Sequence, residues 1–259
     1  MMQHLPILQV ILPLLAAPFA EVDSRVSVDG TLVSVPYIRM TVEMLRQWGL
    51  TVDDSAGSCF VIPGRQRAGV TSYEIEPGAS AASYFWAMAP ILRGNVGVYG
   101  LTKESLQGDV RFVEVLEEMG CEVLRGEDTI TVRATPQLRG VDVDMNDISD
   151  TVMTLGAVTL FAEGPTNIRN VGHIRHKETD RIAALATELR KLGATVDERD
   201  DGLTITPGEL RAATIDTYDD HRMAMSLALA GLRVPGVVIN DPGCVAKTYP
   251  GFWDDLAAV

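Results

Sequence analysis

The residues best suited to chemistry cluster in a few separated stretches. Between Asn170 and Val196 the sequence reads NVGHIRHKETDRIAALATELRKLGATV, with Arg175, Lys177, Glu178, Asp180 and Arg181 ahead of an apolar stripe of Ile182, Leu185, Leu189 and Leu192. That spacing predicts a helix ending at Gly193, with the charges in its first turn and the loop before it. Backbone N–H groups point outward at such a pole and its dipole favours anions. Lys177 and Arg181 add mobile positive charge there. A solvated, salt-bridged helix start is the competing reading. Further along, YDDHRMAM supplies Asp220, His221 and Arg222, and CVAKTYPGFW supplies Lys247. Cations of this kind suit a polyanionic ligand, and carboxylates such as Asp150 and Glu178 suit proton transfer beside it.

The elements that must position these groups come as a repeat. VSVPYIRMTVEMLRQWGLTV (33–52), ESLQGDVRFVEVLEEMGCEV (104–123) and HKETDRIAALATELRKLGATV (176–196) align on Gly49, Gly120 and Gly193, bringing Leu45, Leu116 and Leu189 together, and likewise Val52, Val123 and Val196. Each predicts a helix, a glycine C-cap and a strand. A second strand follows in CFVI (59–62), TITV (129–132) and LTIT (203–206). Another helix, rich in Ala and Met, alternates with these and leads to strand positions Val28, Val98, Ile168 and Ile239, spaced by 70, 70 and 71 residues. The expected unit is helix, strand, helix, strand, strand, with another strand entering. The Ala- and Met-rich helix is apolar all round, so burial is expected, with the amphipathic helix covering it. Lys177 and Lys247 share one repeat position; Ser34, Ser105, Glu178 and Thr248 share the next. Asp150 and the Asp220–His221 pair fall together at the start of the apolar helix.

Composition narrows the ligand. The chain of 259 residues has a net charge of −13, which argues against nucleic acid or an anionic membrane as partner. The apolar share of 46% can build a sizeable core. Cys59, Cys121 and Cys244 are far apart and odd in number, without metal-ligand spacing, so no metal is expected and a reduced, cytoplasmic setting fits. Residues 5–20, LPILQVILPLLAAPFA, look like a signal peptide but lack a basic start; the repeat gives them a place as a core helix. The last copy of the repeat, AKTYPGFWDDLAAV (246–259), shows no closing hairpin.

KETDRI (177–182), YDDHRMAM, CVAKTYPGFW, MNDISDTVMTLGAV (145–158) and GTLVSVPYI (30–38) closely resemble the 5-enolpyruvylshikimate-3-phosphate synthase family from about Ala17 onward. The resemblance implies an α/β fold of repeated βαβαββ units in two lobes, with substrates in the cleft between them. It implies one unit of the first lobe over residues 1–72, a nearly complete C-terminal lobe over 73–259, and a boundary near Thr71 to Glu76. It also implies transfer of the carboxyvinyl group of phosphoenolpyruvate to the 5-hydroxyl of shikimate 3-phosphate, with no cofactor. Asp150 then matches the aspartate that holds the shikimate hydroxyls, a candidate base; Lys177 matches the lysine beside the reacting hydroxyl; Glu178 matches the proton donor to the methylene carbon. Arg181, Arg222 and Lys247 match the cations for phosphoenolpyruvate, and His221 a histidine among them. Ser34 and Tyr37 match contacts of the shikimate phosphate. An aspartate that merely caps a helix, a histidine that only orients neighbours and a packed tyrosine are the alternatives for Asp150, His221 and Tyr37.

The departures are as specific. A Ser-Ser-Gln expected near the first helix is absent, with only Gln3 to stand in; His173 replaces an asparagine; Gly78 replaces an aspartate at the hinge between lobes. The family's upstream lysine, arginine and Asn-Ala-Gly-Thr loop have no counterpart. The resemblance therefore implies either an active transferase, completed by another polypeptide where needed, or a weak remnant binding part of the substrates. A sugar-nucleotide enolpyruvyl transferase fits the motifs less well, and the bare repeat faces raise self-association as an expectation.

Overall fold

The computed structural model of the protein describes residues 8–29, 35–55 and 57–259. It divides into two compact units, one reaching to Glu76 and taking in Leu106–Gly108, the other formed by Pro77–Ser105 and Asp109–Val259.

In the first unit the helix α1 (Leu8–Ala16) leads to β1 (Ser24–Ser27), α2 (Val35–Gln47) and β2 (Cys59–Ile62). β1 and β2 pair antiparallel, with Val26 opposite Phe60. Its core gathers Val10 and Leu14 of α1, Ile38, Val42 and Leu45 of α2, and Phe60 and Ile62 of β2. The strand expected at 50–52 does not form; only a single bridge joins Asp53 to Val61. The Gln66 side chain replaces the missing ladder, accepting from Thr51 N at 2.6 Å and donating to Thr51 O at 3.0 Å. Gly49 still ends α2 with φ +79, as Gly120 and Gly193 end their helices with φ +104 and +108. A left-handed residue closes the last turn there, and glycine adopts it without a Cβ clash.

The second unit repeats the pattern more fully. α3 (Ala79–Leu92), β3 (Asn95–Tyr99), α4 (Phe112–Glu118), β4 (Glu122–Arg125) and β5 (Thr129–Arg133) make one copy. β6 (Asp142–Asp144), α5 (Val152–Thr159), β7 (Thr166–Arg169), α6 (Arg181–Lys191), β8 (Thr195–Arg199) and β9 (Gly202–Thr206) make the next. β10 (Thr214–Ile215), α7 (His221–Gly231), β11 (Val238–Ile239) and α8 (Phe252–Ala257) follow. The sheets run β3-β5-β4, β6-β7-β9-β8 and β10-β11, with β6 parallel to β7 and β10 parallel to β11. The strands that enter each unit are thus parallel, and the hairpins that close it antiparallel.

α3, α5 and α7 pack on one another and form the middle of this core. Beyond His221 and Arg222 at the start of α7, their polar side chains are hydroxyls. Ser83 Oγ lies 3.1 Å from Thr154 Oγ1, which lies 3.2 Å from Ser226 Oγ, so each helix places one buried hydroxyl on a common line. α1 does not follow its sister helices. The expectation of burial fails there: Leu8, Leu12, Leu15 and Phe19 are 59%, 60%, 45% and 57% exposed. No described helix is long and apolar enough to cross a membrane.

Candidate functional site

The site is built at the ends of the apolar helices of the second unit. Asp150 lies in a 3-10 segment (Asn146–Thr151) that runs into α5, and the N-cap Thr151 offers α5 no side-chain bond. Asp150 Oδ1 accepts from Arg181 Nη1 at 3.1 Å and lies 3.7 Å from Lys177 Nζ; its Oδ2 accepts from Arg222 Nη2 at 2.8 Å. Glu178 accepts from Arg181 Nη2 at 2.8 Å and from Lys247 Nζ at 3.1 Å. Asp220 completes the ring, taking Arg181 Nε at 2.7 Å. Asp150, Lys177, Glu178, Arg181, Arg222 and Lys247 thus meet in one place, although Asp150 and Lys247 stand far apart in sequence.

Arg181 is the hub. It is 1% exposed and already engages three carboxylates. Lys177, Arg222 and Lys247 are the site cations with more open side chains, Lys247 most of all. The helix poles also differ from the sequence expectation. Asp180 caps α6 by accepting from Ala183 N at 3.0 Å, and Asp220 caps α7 by accepting from Arg222 N at 2.8 Å. Each pole holds an anion of the chain itself, so attraction of an external anion falls to the side-chain cations.

Backbone conformation enters as well. Tyr218 and Asp219, just before Asp220, both have left-handed φ values, +56 and +55. Non-glycine residues pay for that conformation, and such strain collects where geometry matters. The Tyr218 hydroxyl donates to the buried Glu188 at 2.7 Å and pins the turn.

The electrostatics follow from these contacts. Burial alone would raise the Glu178 carboxyl, but the Arg181 charge and the Lys247 hydrogen bond outweigh it and hold the group at about 2. Burial, and then the Arg222 charge, push the His221 imidazole below its ordinary value. Its Nδ1 is buried without a hydrogen-bond partner among the described residues and lies 4.0 Å from Asp220 Oδ1. Tyr84, on α3 and fully buried, sits within electrostatic reach of Arg222, Arg181 and Asp150; burial raises its hydroxyl.

Some expected residues lie elsewhere. Ser34 falls outside the described residues. Tyr37 belongs to the first unit, half-buried on α2, where its carbonyl accepts from Thr41 Oγ1. Gln3 also lies outside the described residues. His173 Nε2 bonds Ser149 Oγ at 2.9 Å, next to Asp150. Gly78 is the N-cap of α3 and gives it no side-chain bond. Sequence reasoning passed over Asp109, Ser80 and Tyr84. Only Ser80 had a signal, since it shares the repeat position of Asp150 and Asp220. Among the cysteines, Cys121 is buried and pushed to about 11, while hydrogen bonds from Ser27 and Arg25 lower the Cys59 thiol.

Known proteins agree with this architecture. A sequence profile for EPSP synthase (3-phosphoshikimate 1-carboxyvinyltransferase) matches residues 6–256. The chain is 51% identical over 240 residues to the 3-phosphoshikimate 1-carboxyvinyltransferase of Trichormus variabilis, covering 93% of this chain and 56% of that protein. It is 48% identical over 246 residues to that of Idiomarina loihiensis, covering 94% and 57%. The structure of EPSP synthase from Acinetobacter baumannii superposes with a TM-score of 0.78 at 25% identity, over 93% of this chain and 57% of that one. The enolpyruvyl transferase NikO from Streptomyces tendae shares the fold, with a TM-score of 0.70 at 24% identity. The chain therefore spans a little over half the length of these relatives. Motifs, repeat and superposition agree over nearly the whole chain, and it belongs to the EPSP synthase family.

Proposed function

We propose that this chain carries the larger part of an enzyme that moves the carboxyvinyl group of phosphoenolpyruvate to the 5-hydroxyl of shikimate 3-phosphate. The observation that carries the reading is the convergence of Asp150, Lys177, Glu178, Arg181, Arg222 and Lys247 in one cluster. Such a transfer needs a base for the hydroxyl, an acid for the methylene carbon and fixed cations for two polyanions.

Asp150 is the base. Its oxygens are held by Arg181 and Arg222, and Lys177 stands beside it to steady the developing alkoxide. As the hydroxyl oxygen bonds to the substituted carbon of phosphoenolpyruvate, its proton passes to Asp150. The methylene carbon takes a proton from Glu178 to give a phosphorylated ketal. Breaking of the carbon–oxygen bond to phosphate, with return of a methyl proton, yields the enol ether and inorganic phosphate.

Glu178 cannot supply that proton while Arg181 and Lys247 hold it near 2. A phosphate or carboxylate arriving on Lys247 competes with Glu178 for that cation and loosens the grip. The carboxyl then gains proton affinity only when substrate is present. Arg181, Arg222 and Lys247 are the phosphoenolpyruvate cations in this reading; His221, neutral by virtue of its depressed value, orients the shell. Ser34 and Tyr37 serve the shikimate phosphate. Unpaired, widely spaced cysteines support a cytoplasmic setting.

The bare face of α1 supports a second element, that the chain alone turns over weakly and either self-associates or takes up a complementing polypeptide. The test is phosphate release by the purified chain with both substrates, with and without a polypeptide covering the remaining length of a relative. Strong stimulation by the addition is expected. Glu178→Gln should then lower turnover by about 10²- to 10⁴-fold, the usual worth of a general acid, with phosphoenolpyruvate binding retained. Full turnover of the Gln variant would remove Glu178 from the chemistry.

A further inference from the structure

One repeat position of the second unit recurs as Ser80, Asp150 and Asp220, 70 residues apart each time. Asp150 and Asp220 both bind the buried Arg181. At the third corner the residue is a hydroxyl, and Ser80 Oγ donates to Asp109. Asp109 sits in the 3-10 turn Gly108–Arg111 and is only 6% exposed. A buried carboxylate is therefore held at this third repeat position too, delivered by the following element.

The charge balance gives that carboxyl a consequence. Asp150, Glu178 and Asp220 face Lys177, Arg181, Arg222 and Lys247, leaving one surplus positive charge. Ionised Asp109 cancels it. Ser80 from α3 bonds Asp109, and the charges of Asp150 from the segment before α5, Lys177 from the turn before α6 and Arg222 from α7 act on it. His221, at the start of α7, titrates beside Arg222. Burial and the Asp150 charge raise the Asp109 carboxyl to about 6, against Ser80, Arg222 and Lys177. The group changes charge close to neutrality, where a surface aspartate would not.

We propose that Asp109, held by Ser80, is a positioning residue that governs the site's affinity for anions: ionised, it engages the field of Arg222 and Lys177; protonated, it leaves that field to an incoming dianion. The proposal rests on the reading of these cations as an anion site.

Sulfate is the probe, because its charge does not change across the range of interest. Calorimetric titration of the whole chain should show sulfate affinity rising about fivefold to tenfold from about pH 7.5 to about pH 5.5, within the limit of one proton taken up per anion. Asp109→Asn keeps the shape and an acceptor for Ser80. It should bind at the higher pH as tightly as the unsubstituted chain does at the lower, and lose most of the slope. Any slope that His221 adds survives in this variant. Ser80→Ala removes a donor to the ionised form, so the midpoint of the pH dependence should move upward; this decides the matter if the Asn variant fails to fold. Carboxyl-carbon resonances that titrate near 6 and vanish in Asp109→Asn would identify the group directly. An unchanged slope in Asp109→Asn overturns the proposal alone. Failure of the unsubstituted chain to bind sulfate at any pH overturns both the proposal and the anion-site reading.

Discussion

α1 and its sister helices α3, α5 and α7 occupy the same place in the repeat and have the same apolar character, yet meet different fates. In the second unit every side of α5 is covered, and its residues from Val152 to Thr159 are all buried. In the first unit α1 buries Val10 and Leu14 and presents Leu8, Leu12 and Leu15 outward. An all-apolar helix specifies only that it must be surrounded. What surrounds it is fixed by neighbouring elements, and among the described residues of the first unit the same pattern leaves a bare stripe.

The largest effect should come from the hub that ties the second unit's helices together. Arg181→Met strands Asp220, which is 0% exposed, without its cation. The expected loss is about 3 to 5 kcal/mol, as for breaking a buried pair from one side. Trp86 and Trp253 lie in the second unit and Trp48 in the first. Fluorescence of a Trp48→Phe background and of a Trp86→Phe/Trp253→Phe background in urea should therefore place the loss in the second unit alone. A loss shared by both reporters would show that the units do not unfold separately.

Next in size is the contrast between equivalent helices. Leu155→Ala on α5 should cost about 2 to 5 kcal/mol, whereas Leu12→Ala on α1 should stay within about 0.5 kcal/mol. Leu12→Lys with Leu15→Lys should instead change light scattering, reducing self-association without lowering the unfolding midpoint. Equal costs at Leu12 and Leu155 would show that the two helices are equally well covered.

Two carboxyls of the second unit should respond to pH in opposite senses. Glu178 is lowered from 4.5 to about 2, so its stabilisation is present above 4.5 and lost as pH falls through about 2. Asp109 is raised from 3.8 to about 6, so its contribution is best below 3.8 and is lost as pH rises through about 6. Asp109→Asn should raise the melting temperature at about pH 7.5 and leave it unchanged at about pH 4, with Glu178→Gln lowering it at the higher pH. Scanning calorimetry of both variants checks the signs. The smallest effect belongs to the first unit: Cys59, its thiol lowered by Ser27 and Arg25, should alkylate ahead of Cys121, and Arg25→Gln should slow it. Mass mapping of partly alkylated protein reads the order.

The repeat made much of this legible in advance. Gly49, Gly120 and Gly193 marked three helix ends, and CFVI, TITV and LTIT marked three strands, because glycine geometry and alternating β-branched residues act locally. The cations and carboxylates were legible through motifs and shared repeat positions. Contacts that depend on distant chain were not. Nothing local at Thr51 announces that Gln66 takes the place of a strand, and nothing around Asp109 announces a partner in Ser80. The bonds from Arg181 to Asp150 and Asp220 were equally hidden, since those carboxylates come from distant stretches, whereas Glu178 stands three residues away.

The line of hydroxyls through α3, α5 and α7 has a direction. Ser83 Oγ gives its one proton to the carbonyl of Ser80 at 2.7 Å. Thr154 must then donate to Ser83, and Ser226 to Thr154, because each hydroxyl has a single hydrogen to give. α7 only gives, α5 relays, and α3 hands on to its own backbone. Three helices alike enough to trade places are thereby ranked. The sense of this proton chain distinguishes three helices that occupy the same place in the repeat.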